Sequence, residues 1–97
     1  MVDWTINRGI AYSRKTKNPL DGVYSTKSED DVAYFENGKL VWRVAGSSGL
    51  EHPIFYRVTN LSTFQGKMRL KRDKMLKNGR ERGAARLAGL VELITIL

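Results

Sequence analysis

A chain of 97 residues, 41 % hydrophobic and without cysteine, is long enough for a single core and too apolar for a disordered tail; disulfides, thiolate chemistry and thiolate-type structural zinc are excluded. The formal net charge of +7 sits in residues 67–86, where nine basic side chains (Lys67, Arg69, Lys71, Arg72, Lys74, Lys77, Arg80, Arg82 and Arg86) meet two acidic ones, Asp73 and Glu81. Charge this localised repels itself in the folded state and points to a polyanionic partner.

The start, Met1-Val2-Asp3-Trp4-Thr5, has no basic segment ahead of an apolar run, so no secretory leader is expected. Residues 1–30 carry many turn formers and little periodicity, and Arg14-Lys15-Thr16-Lys17-Asn18-Pro19 reads as a polar loop. Val23-Tyr24-Ser25-Thr26, following Asp21-Gly22, suits a short strand.

Residues 32–44 predict a β-hairpin. Two apolar arms flank Asn37-Gly38, the pair that best tolerates the two positive φ angles of a type I′ turn. On the second arm, alternation places Leu40, Trp42 and Val44 on one face and Lys39, Val41 and Arg43 on the other. Ala45-Gly46-Ser47-Ser48-Gly49 reads as a flexible loop, and a further strand is expected near residues 54–59.

Ser62 or Thr63 is placed to cap a helix running towards Lys77, with Phe64, Met68 and Met75 on one side and Asn78-Gly79 as its stop. A basic strand competes for Lys67 to Lys71, where cations alternate with Met68 and Leu70. Beyond Arg80, Ala84, Leu87, Ala88, Leu90, Val91 and Ile94 recur at helical spacing. Val91 to Leu97 is β-branched enough to leave that helix as a strand, and such an apolar terminus would offer itself to a second copy, making a homodimer.

The expected fold is α+β: one domain spanning 1–97, a small antiparallel sheet built on the 32–44 hairpin and the 54–59 strand, and a C-terminal helix covering it. The apolar run from Leu87 to Leu97 is too short to span a membrane and is broken by Gly89 and Glu92, so a soluble cytoplasmic protein is expected.

Nucleic acid is the partner the charge favours, because each cation that neutralises a phosphate releases condensed counterions. The candidate contacts are Lys67, Arg69, Lys71, Arg72, Lys74, Lys77, Arg80 and Arg82. Tyr56 and Arg57 join them as a stacking ring and its neighbouring cation, since in the pairs Tyr34-Phe35 and Phe55-Tyr56 one ring must face away from the other. No DNA-reading signature is present, so base-specific readout is not expected. The competing reading is a phage- or plasmid-type inhibitor whose basic patch docks on an acidic protein surface.

Catalysis has a thinner basis. His52, beside Glu51 and Pro53, would need Arg43 and Arg57 to stabilise a phosphate if it acted as a general base on RNA. Leu40-Val41-Trp42-Arg43-Val44 and Phe55-Tyr56-Arg57-Val58 resemble the paired strands of RelE-type ribonuclease toxins, which implies an RNA-cleaving domain as a third reading. The chain departs from that family in lacking its leading helices, and no site residue is carried over. With no Gly-rich phosphate loop, nucleophile elbow or histidine pair, neither a cofactor nor a metal is expected.

Overall fold

In the computed structural model, which describes residues 1–45 and 52–97, the strands precede the helices. They are β1 (Trp4–Asn7), β2 (Ile10–Ser13), β3 (Gly22–Ser25), β4 (Val32–Glu36), β5 (Lys39–Val44), β6 (Tyr56–Arg57), α1 (Leu61–Lys77) and α2 (Glu81–Ile96). The class is α+β: β1 and β2 form a hairpin, the other strands form a sheet in the order β5-β4-β3-β6, and every pairing is antiparallel. Two compact units divide the chain, Met1–Val58 and Thr59–Leu97. Of the expected loop at Ala45-Gly49, residues 46–49 lie outside the described residues, as does Glu51.

Asn37 and Gly38 turn β4 into β5 with φ of +49° and +82°, the positive pair expected of a type I′ turn. The register then slips between Tyr34 and Phe35, leaving Val41 unopposed while Trp42 faces Tyr34 and Leu40 faces Phe35. This bulge corrects the simple alternation of β5: Leu40 moves to the face opposite Trp42 and Val44, and is half exposed. Strict period-2 reading has no means of seeing an inserted residue.

The β1–β2 hairpin was not expected from residues 1–30. Arg8 and Gly9, with φ of +53° and +77°, close it by the same turn geometry, and Trp4, Thr5, Ile6 and Asn7 pair with Ser13, Tyr12, Ala11 and Ile10. The 54–59 strand is shorter than expected. Only Tyr56 and Arg57 join the sheet, opposite Ser25 and Tyr24, while Phe55 turns its carbonyl to the Val2 amide at 2.8 Å.

The core of this unit gathers Trp4, Ala11, Leu20, Tyr24, Ala33, Phe35 and Phe55. Phe55 stacks on Trp4 at 5.4 Å between ring centroids, and Phe35 meets Tyr24 edge-on at 5.9 Å. The indole Nε1 of Trp4 donates to the Pro53 carbonyl at 3.1 Å, so the buried ring leaves no unsatisfied donor. Tyr34 and Phe35 are both buried, which corrects the expectation of one exposed ring, because β4 is an interior strand. Phe55 and Tyr56 do split as expected, buried and 41 % exposed respectively.

In the second unit the helix, not the basic strand, is formed over Lys67 to Lys71. Its cap is Asn60, ahead of the expected Ser62 or Thr63: the Asn60 Oδ1 accepts from the Thr63 amide at 3.1 Å. Asn60→Ala should cost about 1 kcal/mol, read as a lowered urea midpoint with unchanged slope. The stop is at Asn78-Gly79. Gly79 takes φ of +75°, its amide donates to the Leu76 carbonyl at 3.2 Å, and the Arg80 amide donates to Met75 at 2.8 Å, the paired bonds of a Schellman termination.

α2 continues to Ile96, so the expected terminal strand is not formed. Three hydrogen bonds fix its last turns. Thr95 Oγ1 donates back to the Val91 carbonyl at 2.9 Å, and Gln65 of α1 donates its Nε2 to that carbonyl at 2.9 Å and to Thr95 Oγ1 at 2.6 Å. Phe64 and Met68 of α1 and Ala84, Leu87, Leu90, Val91 and Ile94 of α2 are buried.

Candidate nucleic-acid interface

The buried Phe64 and Met68, with Met75 against Gly83, mark the side of α1 that faces α2, and Gln65, whose amide reaches Val91 and Thr95, lies at one edge of that contact. At about 100° per residue, Lys67 and Lys74 lie about 160–180° round the helix from Gln65 and Lys71 about 120°, on the side away from that edge. Arg69 and Arg72 fall within about 40° of Gln65. Arg72 is only partly exposed, and its guanidinium is held by Asp73 at 3.2 Å.

On α2 the buried Ala84, Leu87, Leu90, Val91 and Ile94 face α1, and Arg82 and Arg86 sit about 140–180° from Val91 and Thr95. Lys67, Lys74, Arg82 and Arg86 therefore lie on the side of the helix pair away from the Gln65–Thr95 contact. At the connecting turn, Lys74, Lys77, Arg80 and Arg82, all exposed, fall within nine consecutive positions with Glu81 as the one acidic residue among them. Lys67, Lys71 and Arg86 take part in interactions of their own. Among the described residues, no ion pair engages Arg69, Lys74, Lys77, Arg80 or Arg82.

Tyr56 and Arg57 belong to the other compact unit. The Tyr56 ring is exposed on β6; Arg57 folds onto Tyr24, with Nη1 donating to Tyr24 Oη at 3.2 Å and its guanidinium carbon 5.8 Å from the ring centroid. The sequence offered no hint of that second engagement, which depends on Tyr24 and Arg57 being cross-strand partners.

The groups needed for RNA cleavage are occupied separately. His52 lies flat on Trp4, with centroids 4.0 Å apart and planes 11° apart, and its Nε2 is 3.2 Å from the Trp4 carbonyl. Arg43 forms a two-point pair with Asp31, Nε to Oδ1 at 3.1 Å and Nη2 to Oδ2 at 2.8 Å. That carboxylate raises the Arg43 guanidinium further above its ordinary value, first through the hydrogen bonds and then through its charge, against the opposing effect of burial. β5 and β6, the segments that resemble the paired strands of RelE-type toxins, stand at opposite edges of the sheet.

Sequence reading passed over Asp31, which is buried just ahead of β4 and is brought beside Arg43, the partner of Ala33, only once the hairpin register is set. Asp31→Ala should cost about 2 kcal/mol, less than the loss of a fully buried pair because Arg43 retains 28 % exposure and can turn to water. Urea unfolding of Asp31→Ala, Arg43→Met and the double variant checks this; a double variant no more stable than the sum of the two single losses predicts would remove the coupling.

A pocket of about 80 Å³ opens beside this pair, floored by Trp4, Ala33, Phe35 and Phe55, and Arg43 is the one ionisable residue among those lining it. Among the described residues, no three His, Cys, Asp or Glu side chains are grouped to hold a metal, and no helix is long and apolar enough to cross a membrane. No protein-family model matches the chain, and neither a curated protein nor a solved structure matches it.

Proposed function

We propose that this chain is a small non-catalytic nucleic-acid-binding protein that contacts phosphates through the Lys and Arg side chains of its helix pair. The observation carrying the reading is the charge of the Thr59–Leu97 unit, which holds nine basic residues against three acidic ones. Five of those cations are exposed, and among the described residues no ion pair engages them. Each one that meets a phosphate releases a condensed counterion, so affinity comes from the nucleic-acid backbone and carries little sequence preference.

The test is direct. The protein is purified at low salt without nuclease, its ultraviolet absorbance ratio is read for bound nucleic acid, and the stripped protein is titrated into labelled mixed-sequence oligonucleotides. Binding in the micromolar range or tighter supports the reading. Clean protein that ignores oligonucleotides at low salt, and recovers one stoichiometric acidic protein from nuclease-treated extract, replaces it with the inhibitor reading.

A further inference from the structure

We infer that the outer face of the β1–β2 hairpin takes one nucleotide of a single strand, its base stacked on Tyr12 and its flanking phosphates held by Arg14 and Lys17; the inference adds a second surface to the nucleic-acid reading above and rests on it for the class of ligand.

The pairing of the hairpin sorts its side chains. Trp4 and Ala11 are buried on one face, so alternation sets Thr5, Asn7, Tyr12 and Arg14 on the other, where Thr5 stands directly opposite Tyr12. That outer face is not flat. Thr5, Asn7, Tyr12, Ser13, Arg14 and Lys17 line a recess of about 470 Å³, within the roughly 300–1,000 Å³ of sites that hold small molecules. The lining carries two cations and no carboxylate, which suits an anion.

Tyr12 supplies the specificity. Among the rings of the Met1–Val58 unit, Trp4, Tyr24, Tyr34, Phe35 and Phe55 are buried in its packing. Tyr12 is instead half-buried on the outer face, and no second ring lies against it among the described residues. A ring on a strand face bordered by cations is a surface on which an unpaired base stacks. The Thr5 hydroxyl and the Asn7 carboxamide offer donors and acceptors to the edge of that base.

The two cations leave a closed turn. The Ser13 amide donates to the Asn18 carbonyl at 2.9 Å and the Lys17 amide to the Ser13 carbonyl at 2.8 Å, while the Thr16 amide donates to Ser13 Oγ and the Asn18 amide to Thr16 Oγ1, both at 3.3 Å. The backbone carrying Arg14 and Lys17 is thus ordered before a ligand arrives, and less entropy is lost on binding. Arg14 lies 3.8 Å from Asp3 with both side chains well exposed, so that pair is weak and the guanidinium can turn to a phosphate. Lys17 is exposed, and no ion pair engages it among the described residues.

Fluorescence anisotropy at low salt compares a labelled single strand of about ten nucleotides with an abasic strand of equal length, which keeps the phosphates and lacks the bases. The intact strand is expected to bind about ten-fold tighter, Tyr12→Leu to remove that advantage and Tyr12→Phe to keep it. Arg14→Gln combined with Lys17→Gln should lower the salt slope on the intact strand by about 1.4, two phosphates at about 0.7 each. Adenosine monophosphate should displace the strand only in large excess; displacement at equal concentration would assign the recess to a free nucleotide and overturn the strand. Circular dichroism confirms that each variant is folded. If Tyr12→Leu is not, photocrosslinking the unaltered protein to a strand carrying iodouracil, which couples to rings it stacks on, is expected to label Tyr12.

Equal affinity for the two strands, a base preference that survives in folded Tyr12→Leu, or crosslinks confined to other residues would each overturn the inference and leave phosphate binding by the helix pair intact. Failure of both strands to bind removes that reading and the inference with it.

Discussion

With a double-stranded oligonucleotide as probe, raising salt from about 50 to about 200 mM should weaken binding by roughly 500-fold, the consequence of about five phosphate contacts each contributing a slope of about 0.9. The count is that of the exposed cations of the Thr59–Leu97 unit that no ion pair engages among the described residues, Arg69, Lys74, Lys77, Arg80 and Arg82. Substituting the last four should flatten the slope by about 3.6. Arg72→Gln should change it little, because that guanidinium already lies against Asp73 at 3.2 Å on the side of α1 turned towards α2. Affinity indifferent to salt, or equal slope changes at Arg72 and Arg82, would show that something other than phosphate neutralisation holds the ligand.

Gly38→Ala should lower folding stability by about 3 kcal/mol, whereas Gly9→Ala, at an equivalent hairpin turn, should cost only about 1 kcal/mol. Both glycines carry positive φ, +82° and +77°, so both substitutions strain the backbone. Only Gly38 is crowded as well. A Cβ there would overlap the Ile10 side chain and stand 2.9 Å from the Ala11 carbonyl oxygen, while nothing lies within 4 Å of one at Gly9. The Gly38 backbone is also bonded on both sides, its amide to the Leu20 carbonyl at 2.7 Å and its carbonyl to the Ala11 amide at 2.9 Å, so it cannot retreat without breaking those bonds. Chemical denaturation of the two variants measures the difference directly; equal losses would mean that the β4–β5 turn is not clamped against β2.

The parts of this fold that were legible in the sequence are those specified by neighbours in the chain. Asn37-Gly38 announces its turn because only two positive φ angles are needed, and Asn78-Gly79 announces the end of α1 for the same local reason. The β1–β2 hairpin was missed although it uses an equivalent turn, since Arg8 does not advertise positive φ as asparagine does. The Asn60 cap was displaced by Ser62 and Thr63, which have cap chemistry but lie inside the helix.

For the site, the basic residues were plain to read but their grouping was not. Whether Lys67, Arg72 and Arg82 point together depends on which side of each helix meets the other, and that is set by the buried Phe64, Met68, Leu87, Leu90 and Val91 and by Gln65 reaching Val91 and Thr95, 26 and 30 positions away. The occupation of Arg43 by Asp31 and of Arg57 by Tyr24 likewise follows from strand register, which composition does not carry.

The turn between α1 and α2 has a further bearing on affinity. Its backbone is fastened by the amides of Asn78, Gly79 and Arg80 to the carbonyls of Lys74, Leu76 and Met75. A flexible basic tail must be ordered when it captures a polyanion, at about 1–2 kcal/mol for each backbone residue fixed. Here that entropy is already lost when the protein folds, so a ligand has only side-chain rotamers left to restrain, and the turn's cations bind without an ordering step.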